Sequence, residues 1–577
     1  MFKGKSRIIL IIIAVCSIFG LLLHGNLSRP SGSETGGEGQ LTLHTSEFPK
    51  SFNYMVNNST DAAAVFDLVY DTLLEQDLNT LEYQPLIAES WTVSEDKKEF
   101  TFKIDPRAKW SDGQPITAAD VKFTYDTIMD PKNLTSVLRL YYGRFNPPEV
   151  IDTHTVKFSA KTVHYKNFEA LAGFTVLPRH LMEGKDFNKA FTMSLPGSSG
   201  PYRLSEVKEG RYYVLTRNQD YWADQLPHHK GTFNFAKIKY KVMAPNVAFE
   251  AFKRGDFDIF DQITAKRWVT ETNSEPFQKN WIIKQKVYNS LPRGFMGLAL
   301  NLRKPLFKEL KVRQALMHLL DRQTIIEKLL YGEYLPLNSY WQSFFGEKAN
   351  PEFGYDPAAA QQLLAESGYK KLDKDGYLIN SAGQKLEFTI IYVSEESEKY
   401  LTLFKESCKK VGVKVNLQRL SWATMIKQTD KYQFDAALFA WTGTLSPDPE
   451  QLWHSKHRDE TGGSNLPGYQ NPAVDRLIDS LPAIFDAQQR LAIIKQIDGL
   501  IYKDVPYLLF WTTDHSKIFY KNIFTMPKTV FAKYGSGIIR YWRFDPEKVK
   551  KYREAVRTGR ALPAQPVEVH YDQAAQN

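Results

Sequence analysis

The run from Leu386 to Trp441 constrains the fold more than any other stretch of the chain. It reads, in order, "LEFTIIYV", "ESEKYLTLFKESCKKVG", "VKVNLQRL", "WATMIKQTDKY" and "FDAALFAW". Short β-branched and aromatic runs alternate with segments whose apolar residues recur at helical spacing, so the order is strand, helix, strand, helix, strand. Strands joined by helical crossovers run parallel, which commits this part of the chain to an α/β layer architecture. A second region, "KIKYKVM", "NVAFEAFKRG" and "FDIFDQI", repeats the pattern as a second parallel unit. Asn246 is expected to cap its helix and Gly255 to end it. Between the two regions, "KVRQALMHLLD" places Val312, Ala315, Leu316, Leu319 and Leu320 on one helix face. Upstream, "EFTFKI" and "HTVKFSA" read as strands, and Thr117 and Asp120 are spaced as a capping box that starts a helix between them.

A chain of 577 residues is too long for one core and predicts two to four domains. Its N-terminus reads as an export signal: Lys3, Lys5 and Arg7 precede an apolar run from Ile8 to Leu23, followed by the polar "SRPSGSETGGEG". The run is slightly short for a spanning helix, yet it could serve as an uncleaved anchor. The body is expected to be soluble and outside the cytoplasm. Four of the basic residues behind the net charge of +9 lie in the first thirty residues, with no acid among them. The rest are mixed with acids, and no basic block like that of a nucleic-acid-binding arm is present. Cysteine is nearly absent. Cys16 falls in the signal, Cys408 stands alone in an amphipathic helix, and no intrachain disulfide is expected.

In open α/β sheets ligands bind beyond the carboxyl ends of the strands. The stretch "LFAWTGTLSPDPEQLWHS" lies at such an end, after the strand predicted over 434–440, and "DQIT" lies at another. Two such edges facing each other would make a cleft, which favours a pocket over plain packing for these tryptophans. Motifs for catalysis are missing: there is no G-x-x-x-x-G-K-[ST] and no H-E-x-x-H. "GSSG" reads as a turn, His228–His229 as loop, and His454 with His457 as a solvated pair rather than a metal site. No cofactor or metal is expected, and the chain reads as a binder rather than an enzyme.

Longer stretches carry a resemblance. "LIAESWTVSEDKKEFTFKIDPRAKWSDGQPITAADVKFTYDTIMDP" and "GSSGPYRLSEVKEGRYYVLTRNQDYW" resemble two blocks of the peptide/nickel-type extracellular solute-binding proteins of ABC importers, family 5. "AFKRGDFDI" and "LALNLRKPLFKELKVRQALMHLLDRQTII" fit the same family. "AGFTVLPRHL" and the tail "YWRFDPEKVKKYREA" are similar to its oligopeptide and microcin C branch. The resemblance implies an α/β, two-lobed periplasmic-binding-protein clamp (type II, cluster C) with an extra subdomain in the first lobe. The implied division is a signal and linker over 1–39, lobe I over 40–57, 200–292 and 505–577, the extra subdomain over 58–199, and lobe II over 293–504. It further implies crossings near 290 and 505, a monomer, membrane permease subunits as partners, and an enclosed peptide or peptide-like ligand held largely by its backbone.

In dipeptide and oligopeptide binders of this family an Asp shortly after the loop tryptophan pairs with the ligand's ammonium. The matching residue here is Thr444, which supplies no charge. Either Asp448 takes over, or a free ligand N-terminus is not required; Pro447 and Pro449 restrict the bend that the first option needs. The expected contacts are Trp441, Thr442, Gly443, Thr444 and Asp448 in the second lobe, Asp261 and Gln262 in the first, and Phe295 and Met296 near the crossing. Competing readings are a non-peptide cargo such as a metal chelate, haem or oligosaccharide, a sensing subunit, and a secreted hydrolase with an unmarked carboxylate pair.

Overall fold

The computed structural model describes residues 39–57, 59–527 and 529–571. The expectations for the export signal, the anchor and Cys16 lie outside the described residues. The strand–helix–strand–helix–strand run folds as read: Glu387–Tyr392, Lys414–Arg419 and Ala436–Trp441 are strands, with helices Glu398–Lys410 and Trp422–Asp430 between them. Glu387–Tyr392 is central to this trio and parallel to both neighbours. The sheet is completed by Phe295–Leu300 and Tyr507–Leu509, both joined antiparallel, giving five strands. Helix Glu398–Lys410 buries Leu401, Phe404 and Cys408 against it. Burial pushes the Cys408 thiol up and keeps it unreactive.

The second α/β region differs from expectation. Strands Lys237–Val242 and Ile259–Phe260 flank the helix Pro245–Lys253, but they belong to two different four-stranded sheets. Lys237–Val242 pairs in parallel with the distant Gln40–Thr45, and Ile259–Phe260 pairs antiparallel with Ser516–Lys521. Strand pairing here is decided by segments far away in sequence, which periodicity does not register. Asn246 does not cap the helix either. Ala244 is the cap residue, Pro245 opens the first turn, and the Asn246 side chain accepts instead from Arg267 Nη2 at 2.8 Å. Gly255 ends the helix as expected, its φ of +95° lying where glycine is favoured.

Thr117 and Asp120 form the expected capping box of helix Ala118–Met129. That helix belongs to a unit built on the antiparallel sheet of Ala88–Val93, Glu99–Ile104, Thr155–Ser159 and Glu149–Asp152.

The buried apolar residues fall mainly into two clusters. One runs from Leu41 to Val287 and resumes from Ile518 to Ala555; the other, apart from Ala265, runs from Phe295 to Trp511. The chain therefore passes between two halves twice, over 288–294 and over 512–517. Tyr507–Leu509 pairs within the five-stranded sheet, which sets the second passage beyond the position expected near 505. Helix Leu310–His318 anchors the second cluster through Val312, Ala315 and Leu316, all fully buried. A valine or leucine buried in this way contributes about 1.5–3 kcal/mol.

Candidate functional site

A cavity of about 1250 Å³ opens between the two halves. Its first wall is the segment Gln262–Arg267 with the start of helix Pro245–Lys253. Its second wall carries Trp441, Met296, Tyr334 and Tyr400, and its floor takes in both passages through Arg293–Gly294 and Thr512–Thr513. Six aromatic residues line it: Phe249, Phe295, Tyr334, Tyr400, Trp441 and Trp511. Its size exceeds the roughly 300–1,000 Å³ typical of sites for drug-sized molecules, so it suits a longer ligand.

The strand ends place the wall residues. Phe295 faces Trp441 across the antiparallel pair, and Met296 faces Ala440. The Phe295 ring is 7% exposed and packs edge-on against Tyr340 and Tyr507, so it supports the wall from behind. Met296, its neighbour on the opposite face, is half-buried. Trp441 is also half-buried, and its Nε1 donates to Tyr507 Oη at 3.1 Å, which fixes the indole. Trp453 is wholly buried among Tyr340, Tyr469 and Tyr507 and belongs to the core. Of the tryptophans in the stretch at 438–455, one faces the cavity and the other packs.

The first wall is stitched by Arg267. It is buried, donates from Nη1 to the Gln262 carbonyl at 2.7 Å, and lies over the Phe249 ring at 4.7 Å. Gln262 is further tied to Ser46 Oγ at 2.8 Å. Asp261 sits one residue outside the lining. It is exposed, and partial desolvation of its carboxyl raises it above the usual range.

Gln262, Phe295, Met296 and Trp441 thus share one cavity, whereas Thr442, Gly443, Thr444 and Asp448 do not line it. Gly443 has a packing reason: a Cβ there would lie 2.3 Å from the Pro292 carbonyl oxygen. A Cβ at Gly294, opposite, would overlap the Trp441 carbonyl oxygen in the same way, so two backbones touch where only glycines fit. Thr444 is exposed and donates to the Ser446 carbonyl. Asp448 is turned toward Lys166 at 3.2 Å, and the pair is 24% and 13% exposed. Burial would raise the Asp448 carboxyl, but Lys166 and the Glu450 N–H outweigh it and hold it below the usual range.

Among the described residues, the two halves meet around Lys166 and around Glu333 as well as at the passages. Around Lys166, the Tyr165 N–H donates to the Pro482 carbonyl at 2.9 Å, its hydroxyl donates to the Pro447 carbonyl at 3.2 Å, and Arg490 lies over its ring. Elsewhere Glu333 receives Lys286 at 3.0 Å and Lys517 at 2.9 Å.

The histidines are arranged otherwise than expected in one case. His228 and His229, read as loop, lie in the short helical turn Pro227–His229, and both Nε2 atoms reach Glu75 Oε1 at 2.7 Å. Arg540 also grips Glu75, at 2.5 Å, and its guanidinium supplies the positive charge that a metal ion would bring. Burial alone would raise the Glu75 carboxyl, but His229 and Arg540 hold it at about 2. His454 and His457 engage Asp479 and Glu460 respectively.

Residues 82–463 match the pattern of the bacterial extracellular solute-binding proteins, family 5, over the middle region that defines them. The chain belongs to this family. The solute-binding protein is 27% identical over 564 residues to YejA of Escherichia coli K12, covering 90% of this chain and 91% of that one. It is also 27% identical to the oligopeptide-binding protein AppA of Bacillus subtilis, over 89% of this chain and 94% of the relative. The solved structure of AppA in complex with a nonapeptide superposes with a TM-score of 0.72 at 24% identity, covering 88% of this chain and 99% of that one. The two-lobed α/β clamp expected from the sequence is the fold of this solute-binding protein. Among the described residues, no helix is long and apolar enough to cross a membrane.

Sequence reasoning missed Arg267, Arg293, Tyr334, Tyr400 and Thr512–Thr513. Arg293 had a usable signal, since it opens the same "RGFMG" that supplied Phe295 and Met296. The others are brought to the cavity only by the packing of the lobes.

Proposed function

We propose that this protein is the periplasmic substrate-binding component of an ABC importer, taking oligopeptides or peptide-like compounds between its lobes and delivering them to membrane permease subunits. The observation that carries this reading is the cavity itself. It is long enough for several residues, walled by aromatic faces that accept varied side chains, and set where the lobes meet. AppA, similar over most of both chains, is named as an oligopeptide binder. A protein of Agrobacterium fabrum, 25% identical over 91% of this chain, is named as a probable peptide-binding protein. The chain acts as a monomeric binder without catalysis, in keeping with a family of binding proteins.

Trp441, Gln262 and Met296 contact the ligand directly, and Asp261 at the rim meets its polar groups. Phe295 supports the wall, and Asp448 serves lobe contact rather than ligand charge. Native mass spectrometry of protein purified without denaturation from its own periplasm tests the reading. A spread of adduct masses resolving into peptides is expected. One discrete non-peptide adduct would overturn it and identify the cargo.

A further inference from the structure

Eight charged side chains line the cavity: Glu250, Lys266, Arg267, Glu271, Arg293, Glu395, Glu396 and Lys399. Seven are matched by an opposite charge. Glu250 pairs with Lys253, Lys266 and Arg267 with Glu271, Glu395 with Arg419, and Glu396 with Lys399. Arg293 is the exception: among the described residues no carboxylate lies within ion-pair distance of its guanidinium. Its Nη2 donates to Ser516 Oγ at 2.9 Å, and its buried Nε has no acceptor. Asp514, which favours the charged form of Arg293 from a distance, is engaged by His515 Nδ1 at 2.7 Å.

A half-buried guanidinium without a counter-ion is costly, because its charge is partly desolvated and its donors are not all satisfied. An arginine stays charged over the physiological range, so deprotonation does not relieve that cost. Its position adds to the argument. Arg293, Gly294, Thr512 and Thr513 also line an adjoining pocket of about 420 Å³, so Arg293 stands between the main cavity and a second space. A ligand running from one space into the other passes this side chain. Of the loop acids that could have anchored a ligand ammonium, Asp448 is committed to Lys166.

Resting on the peptide reading above, we infer that Arg293 is a specificity-determining residue that receives a carboxylate of the ligand, so that the protein selects peptides by an anionic group at the junction of the two spaces. The carboxylate comes from the peptide's C-terminus or from an acidic side chain; both offer two oxygens to the planar guanidinium. The unpaired charge on the cavity wall is then matched when the ligand is in place.

Three pools of mixed-sequence peptides, three to nine residues long, test this by isothermal calorimetry and native mass spectrometry. One pool has free C-termini and no Asp or Glu, one is C-terminally amidated without Asp or Glu, and one is amidated with a single Glu. The wild type is expected to bind the first pool, the third, or both, at least about tenfold tighter than the neutral amides. Which of the two binds tells a terminal from a side-chain carboxylate. Arg293→Gln is expected to bring the pools within about twofold of one another, and Arg293→Lys to restore part of the preference. Unliganded thermal unfolding of both variants checks that they fold. An unchanged preference in Arg293→Gln overturns the inference, and so does a wild type that binds acids and amides alike while still retaining peptides. A wild type that retains none of the pools instead brings down the peptide reading, and this inference with it.

Discussion

At the scale of the residue, Trp441 is a half-buried aromatic of the cavity wall, and Tyr507 holds its ring in one orientation. Trp441→Ala is expected to weaken peptide binding at least about tenfold in calorimetry, since truncating an aromatic anchor costs about 2 kcal/mol or more. Unchanged affinity in a folded variant would remove Trp441 from the site. Glu75 makes a different kind of prediction. Its carboxyl is held at about 2 against an ordinary 4.5, so its contribution to stability is present above pH 4.5 and lost as the pH falls toward 2. Glu75→Gln leaves Arg540 without its counter-charge and is expected to cost about 3 kcal/mol at neutral pH. In denaturant titrations the gap between the variant and wild type should narrow as the pH drops through that window; a constant gap would mean the ion pair is not its source. Gln262, Met296 and Trp441 were legible because each sits at or beside a strand end that hydrophobic alternation marks. Arg293 stood in the same stretch as Met296, but its lack of a counter-ion was not legible, because that is a property of the folded surroundings.

At the scale of the element, the loop after Ala436–Trp441 gives up its acid to another part of the molecule. Its Asp448 meets Lys166, 282 positions away at the start of helix Lys166–Ala172, and the Tyr165 hydroxyl meets its Pro447. Because this contact joins the two lobes, breaking it biases the clamp open and lowers apparent affinity without touching the ligand. Asp448→Asn and Lys166→Met are each expected to weaken binding about three- to tenfold, the size of a partly exposed ion pair, and the double variant no further. Additive losses would show that the two residues act independently. The helices and strands themselves were largely readable, down to the capping box at Thr117 and the stop at Gly255. The exceptions share a cause. Lys237–Val242 and Ile259–Phe260 look like neighbours in sequence, yet each found a partner from a remote segment, and Asn246 gave its side chain to Arg267 instead of its own helix.

For the whole molecule, the cavity and the two passages between the apolar clusters share residues. Arg293–Gly294 and Thr512–Thr513 line the ligand space, and the chain passes between lobes there. A ligand in contact with both passages therefore acts directly on the angle between the lobes. Small-angle scattering is expected to show a smaller radius of gyration with bound peptide, and saturation at a hundred times Kd should add about 2.7 kcal/mol to stability. A radius unchanged by a peptide that does stabilise the protein would mean that the clamp is already closed when empty. A cleft between two α/β regions was legible from the strand ends, but which segments make up each lobe came only from family resemblance, since periodicity reports elements and not which of them share a core. One feature of that second core has a practical use. Cys408 is wholly buried beneath its sheet and is the one free thiol among the described residues. A chain produced from residue 39 onward leaves conjugation chemistry nothing to attack. A single cysteine engineered at a cleft lip would then take an environment-sensitive dye alone, and lobe movement would be read as a change in emitted light.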